Sequence, residues 1–370
     1  MRDLLLTLHR WSGLVLGILI FVVAVTGSAL VFENEIDAWL NPDVTLLRRA
    51  PSSERVSLVK MVDAVKKAHP KDPPTSIRII PVGIFTESRT TEISLKSGLS
   101  AFVNPYTGEL LGTRSRERSF ARFLHLLHTR FVAGQAGEYI VGAITAATFL
   151  MALSGVYLWW PRKVMALKRS GSWRRTNLDL HHMLGFYASL VMVVITLSGV
   201  IIAFEQFTDP LLKKLDSKPE PPAKLESIPI DGTTPISVDE AVRIANAALP
   251  GAETSAINLP PPGKAVYRAF MKFPEDRTPA GRSRVAVDQW SGAVLLKLNT
   301  REAELGTAIN NLKRSAHTGD IFGWPTQALY FVVSLAIAAQ VVTGFLIWSK
   351  PRKAALAQEP AARRAEAEPA

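Results

Sequence analysis

Four apolar runs constrain this chain more than anything else in it. Trp11 to Phe32, Tyr139 to Trp160, Met183 to Phe204 and Gln327 to Trp348 are each about 22 residues long and hold no Lys or Arg. As helices they are long enough to cross a hydrocarbon core of about 30 Å. Small residues near Ser28-Ala29 suggest a cleavable signal peptide, but the first run is longer than a signal core and has a twin in mid-chain, so it reads as a retained helix. Over 370 residues the mean hydropathy is only +0.15, which leaves about half of the chain to water.

The chain is an internal duplication. Leu8-His9-Arg10-Trp11-Ser12-Gly13 returns as Leu180-His181-His182-Met183-Leu184-Gly185. At that same offset Gly27 matches Gly199, Phe32 matches Phe204, Glu33 matches Glu205 and Asp37 matches Asp209. A second set pairs His128-Thr129 with His317-Thr318 and Ser154-Gly155 with Thr343-Gly344, each ending in Trp and then Pro-Arg-Lys. Each half thus carries a His near the start of both its apolar runs.

Basic residues in short loops orient the spans. Arg162, Lys163, Lys168, Arg169, Arg174 and Arg175 crowd one loop without an acid, and Lys350, Arg352 and Lys353 follow the last span. Both segments, and with them the two termini, are expected in the cytoplasm. The long loops then face the periplasm of a bacterial inner membrane. A membrane flank accounts for the net charge of +11, so no nucleic-acid partner is expected. Cysteine is absent, which excludes thiolate metal sites, iron–sulfur clusters and disulfides.

Both long loops read as small α+β units. In the first, helical spacing over Ser57 to His69 precedes strands at Ile77–Ile80, Thr91–Leu95 and Leu99–Val103, then the turn Asn104-Pro105-Tyr106-Thr107-Gly108-Glu109 and another short strand. In the second, a Pro-rich linker, Lys218-Pro219-Glu220-Pro221-Pro222, leads to a helix over Ser237–Ala248. Strands at Tyr267–Phe273 and Ser283–Val287 follow, and the matching turn is Asp288-Gln289-Trp290-Ser291-Gly292-Ala293.

The helix ending in Leu249-Pro250-Gly251 and the two strand–turn segments resemble the PepSY domain. The four spans, with their Leu-His-x-x-x-Gly openings and Thr/Ser-Gly pairs, resemble the PepSY-associated transmembrane family over about residues 5–352. In the first copy Ala68-His69-Pro70-Lys71 stands where the second has Leu-Pro-Gly. The resemblance implies a helical inner-membrane protein with four transmembrane helices and two small α+β periplasmic domains. Characterised members of the family include di-haem reductases of ferric siderophores. The expected division is helix one (1–33), first domain (34–120), interfacial helix and helix two (121–162), basic loop (163–180), helix three (181–205), second domain (206–312), interfacial segment and helix four (313–350), and tail (351–370).

Six of the seven histidines fall at membrane boundaries, and only His69 does not. Neutral imidazole is the usual axial ligand of b-type haem, and two on facing helices clamp one iron. The duplication pairs His9 with His181 for one haem, with His182 the alternative, and His128 with His317 for a second, with His125 one turn from His128. Gly27 and Gly199, about 27 Å along their helices from His9 and His181, are expected to give clearance to the second haem, and Gly155 and Gly344 to the first. Plain helix packing explains these glycines equally well. Arg122, Arg130 and Arg314 are candidates for haem propionates or an anionic substrate, while positive-inside flanking explains Arg10 equally well. Glu33 and Glu205 are read either as functional intramembrane carboxylates or as solvated helix ends.

Two b-type haems stacked across a bilayer imply electron transfer. No nicotinamide or flavin fingerprint occurs, so the donor is expected to be a quinol or a separate protein. By resemblance the acceptor is a periplasmic ferric siderophore, released as Fe(II). Two other readings stay open: a membrane-anchored PepSY regulator of a periplasmic protease without redox activity, and a haem-bearing membrane subunit of a partner oxidoreductase.

Overall fold

A computed structural model describes residues 1–47, 54–81, 83, 89–161, 163, 165–167, 173–219, 222, 224–261 and 263–349. Arg162, Lys168 and Arg169 of the basic loop, Glu220 and Pro221 of the linker, and Lys350, Arg352 and Lys353 lie outside the described residues. The elements in chain order are α1 (Arg2–Leu30), α2 (Glu33–Leu40), α3 (Pro42–Thr45), α4 (Leu58–Ala68), β1 (Pro74–Arg78), β2 (Thr91–Leu95), β3 (Leu99–Val103), β4 (Leu110–Ser115), α5 (Phe120–Arg130), α6 (Gly134–Trp159), α7 (Trp173–Ala203), α8 (Glu205–Lys213), α9 (Val238–Ala248), β5 (Glu253–Asn258), β6 (Val266–Lys272), β7 (Ser283–Asp288), β8 (Val294–Leu298), α10 (Leu305–Thr318) and α11 (Trp324–Ser349). The described residues form two compact units, one within 1–31, 126–204 and 328–349, the other within 32–125 and 205–327.

The first unit is helical. α1, α6, α7 and α11 are each long and apolar enough to cross a membrane. Ile20, Ala24, Ile144, Ala152, Ala188, Met192, Val333 and Ile337 form its interior. Val15, Ile18, Leu150, Leu190 and Val332 are exposed, as side chains facing lipid would be. Buried hydroxyls inside the spans return their protons to their own helix: Thr26 donates to the Val22 carbonyl at 2.7 Å and Thr196 to that of Met192 at 2.7 Å. The first and third spans start earlier than their apolar runs, at Arg2 and Trp173, so His9 and His181 lie about two turns inside their helices.

The second unit is built on one sheet of eight antiparallel strands in the order β4-β3-β2-β1-β5-β6-β7-β8. Each repeat supplies four consecutive strands, and the two sets join where β1 pairs with β5 about Ile77 and Ile257. α4 and α9 cover one face. Their apolar sides, Met61, Val62 and Val65 with Val238, Ala241 and Ala245, share a single core with Ile77, Ile93, Ile257, Met271 and Val285. The α+β repeats are thus continuous with each other through backbone pairing and core. One link is not symmetric: the Asp239 carboxylate of α9 accepts the backbone N–H groups of Leu58 and Val59 at 2.8 and 2.9 Å, capping the start of α4. Glu33 and Glu205 open the short helices α2 and α8 rather than ending the spans before them, and Glu205 lies 3.5 Å from Lys313.

Candidate functional site

His9 and His181 meet inside the first unit. Their ring centres are 6.5 Å apart and their planes lie at 88°. Each ring leans on a neighbouring helix that carries a hydroxyl next to a glycine. His9 Nδ1 lies 3.0 Å from Ser154 Oγ on α6, and His181 Nδ1 lies 2.9 Å from Thr343 Oγ1 on α11. A Cβ on Gly155 would stand 3.4 Å from His9 Cε1, and one on Gly344 would stand 3.5 Å from His181 Cε1. Glycine and hydroxyl therefore form one seat for one imidazole.

A hydroxyl can donate one hydrogen bond and also accept. Ser154 Oγ lies 3.1 Å from the Met151 carbonyl and Thr343 Oγ1 2.9 Å from that of Ala339, so each can donate to its own helix and accept from Nδ1 of its His. In that tautomer Nε2 holds the bare lone pair. Orienting a ligand ring through its second nitrogen is how metal-binding histidines are usually held. Two imidazoles bound end-on to one metal through bonds of about 2 Å have ring centres about 6.4 Å apart, a span this pair matches.

His128 has the same kind of seat at the other end of α1. Its Nδ1 lies 2.9 Å from the Val23 carbonyl, which can only accept, so this ring donates from Nδ1. Thr26 Oγ1 is 3.3 Å away. A Cβ on Gly27 would fall 2.8 Å from His128 Cε1, closer than packed atoms allow. The space at Gly27 is thus taken by the imidazole edge itself. Gly199 follows Ser198, which donates to the Val194 carbonyl at 2.6 Å and so repeats the Thr26 arrangement on α7.

The glycine of each Leu-His-x-x-x-Gly motif also has a neighbour from another helix. A Cβ on Gly185 would meet Gln340 Nε2 at 2.6 Å, and one on Gly13 would meet Met151 Cε at 3.3 Å. Gln340 in turn donates to the His181 carbonyl at 3.4 Å. Asp179 is buried half a turn before His181 and pairs with Arg175 at 3.0 Å, a contact that sequence spacing did not single out.

The remaining candidates are placed as follows. His182 follows His181 on α7, and His125 precedes His128 by one turn of α5. His317 lies in the last turn of α10, in the second unit. Arg130 pairs with Glu138 at 3.1 Å and Arg122 with Glu117 at 2.8 Å. Arg314 lies near Arg282 and Asp320. Arg10 sits over the Trp11 ring at 6.0 Å. His69 hydrogen-bonds Thr113 Oγ1 at 2.9 Å in the second unit. Among the described residues no cluster of three or more His, Asp or Glu suited to a bare metal ion occurs.

Four lipid-length helices with histidines seated on one another's hydroxyl–glycine pairs define a multi-pass helical membrane protein. The chain belongs to the PepSY-associated TM region family, which it matches over residues 6–350. No curated protein matches it.

Proposed function

We propose that the protein is a di-haem b oxidoreductase of the bacterial inner membrane that reduces a ferric siderophore. The observation that carries this reading is the His9–His181 pair, whose ring separation of 6.5 Å and perpendicular planes suit one iron held between two imidazoles. When bound, the haems supply one-electron transfer between a quinol or separate donor protein and a periplasmic ferric siderophore, whose iron leaves as Fe(II). The chain's own part is to hold the rings. Ser154 and Thr343 are placed to accept from Nδ1, which leaves Nε2 to the iron, and the helix backbones around Gly155 and Gly344 admit the ring edges.

The duplication extends the reading to a second haem. His128 is its candidate ligand within the first unit, because its seat on Thr26 and Gly27 repeats those of His9 and His181. His317 is its equivalent by sequence. The family supports the membrane setting, and the siderophore rests on the family resemblance alone.

An absorption spectrum of the purified full-length protein tests the reading directly. A Soret band, sharp reduced α-bands and a pyridine haemochrome value of two haems per chain are expected. His9→Ala or His181→Ala should remove one of the two, while His69→Ala keeps both. Protein that carries no haem when made in haem-replete cells overturns the proposal.

A further inference from the structure

The face of the eight-stranded sheet turned away from α4 and α9 carries charge where the other face carries core. Arg78 pairs in register with Glu92, and Glu92 with Phe102, while Ser100 pairs with Arg114. Arg116, Arg89 and Asp37 of α2 join them around a cavity of about 40 Å³, room for about three waters or a single carboxylate or phosphate group. Three of the guanidiniums are engaged internally. Arg114 binds Asp37, whereas Arg116 and Arg78 share Glu92 at 2.9 and 3.5 Å. Arg89 gives Nη2 to the Asn34 carbonyl at 2.9 Å.

Two of the arginines that line the cavity each have a donor left over. The buried Nε–H groups of Arg89 and Arg114 have no hydrogen-bond partner among the described residues. A buried donor without an acceptor is costly, more so when charged, so a fold seldom keeps two in one place without something to receive them. With Asp37 and Glu92, Glu35 beside Arg89 and Glu33 near Arg116 match the four arginines in formal charge. The unspent N–H groups, rather than net charge, therefore set what fits. Burial also pushes the Arg89 pKa down from its ordinary value, against the pull of Glu35 and Asp37, so a further anion beside it would be favourable.

We propose that this arginine cavity binds one oxyanion group of a small soluble ligand, a carboxylate or a phosphate, through the Nε–H groups of Arg89 and Arg114. The site is independent of the redox reading, since it uses no histidine and no bound cofactor. Calorimetric titration of the full-length protein in neutral detergent, at fixed ionic strength, tests it with citrate and inorganic phosphate as separate probes. At least one should bind saturably at one per chain, and which one binds decides between carboxylate and phosphate. Arg89→Lys and Arg114→Lys each keep a positive charge and remove one Nε–H, and each should weaken that binding about tenfold or more. Arg243→Gln, at an exposed site paired only with Glu240, should leave it unchanged. Using both lysine variants guards against one failing to fold, which a thermal melt reports. Saturable binding of neither probe means that the donors meet water alone and overturns the proposal. So does unaltered affinity in both folded lysine variants.

Discussion

Ser154 Oγ, on α6, lies 3.0 Å from Nδ1 of His9, on α1, and 3.1 Å from the Met151 carbonyl of its own helix. The hydroxyl is thus placed to donate to its helix and accept from the imidazole. Thr343 does the same for His181.

Removing these acceptors should loosen the cofactor without removing a ligand. Loss of a partner in the outer shell of a metal site typically costs about 10–100-fold in affinity. Ser154→Ala and Thr343→Val are expected to bind haem more weakly by that order in apoprotein titrations. They should also shift the midpoint potential of the haem proposed for His9 and His181. Unchanged affinity and potential in both variants would remove the hydroxyls from the ligand-holding scheme.

The three hydroxyl–glycine seats should differ in their tolerance of a methyl group. At Gly27 the new Cβ would fall 2.8 Å from His128 Cε1, whereas at Gly155 and Gly344 it would stand 3.4 and 3.5 Å from its ring. Overpacking of the first kind costs about 1–3 kcal/mol and displaces whatever can move. Gly27→Ala is expected to perturb the haem proposed for His128 to a high-spin form or lose it, while Gly155→Ala leaves a low-spin spectrum. Electron paramagnetic resonance of the oxidised proteins reads both outcomes.

Acid should find the sheet through Glu92. Burial works against this carboxylate, but Arg78, Arg116 and the Ser100 hydroxyl together hold its pKa below the ordinary value. A depressed native pKa gives stability that is present in full above the unfolded value, about 4.3 for glutamate, and is lost as pH falls through the native one. At neutral pH, Glu92→Gln should melt earlier than the parent by an amount equivalent to about 1–3 kcal/mol, because two guanidiniums lose their shared partner. The gap should close as pH is lowered. A gap that persists unchanged at pH 3 would assign the effect to packing instead.

Asp239 offers a test of how the repeats depend on each other. Its carboxylate accepts from Leu58 and Val59 in the other repeat, so Asp239→Ala strips the start of α4 of two acceptors, with a cost of about 1–2 kcal/mol. Hydrogen exchange should quicken at the first turn of α4, far away in sequence, and remain slow over most of α9. Equal exchange in the variant and the parent would mean that Ser57, which also caps α4, suffices alone.

Much of this architecture was legible in the sequence because period and length are local properties. Thr91–Leu95 and Leu99–Val103 are strands at the expected bounds, and all four apolar runs lie in long helices. Polar residues before a span do not stop a helix, so Arg2–Arg10 and Trp173–His182 continue α1 and α7 beyond what hydropathy marks. Strand β5 went unread because Glu253–Asn258 alternates only weakly. That β1 would pair with β5 was beyond local pattern, since nothing near Ile77 names Ile257 as its partner. At the site the duplication singled out the histidines and the Ser/Thr-Gly pairs as separate features. That each pair is the seat of a ring depends on which helices adjoin, and spacing within one helix cannot tell.

The β1–β5 seam also sets an order of events during synthesis. When the first repeat has been made, Pro74–Arg78 is an open strand edge, a ready template for wrong partners. Its proper neighbour, Glu253–Asn258, is translated only after two further membrane spans and the second linker. The nascent protein must therefore carry an unfinished half-sheet through most of its own insertion, and that interval is when it is most exposed to misassembly.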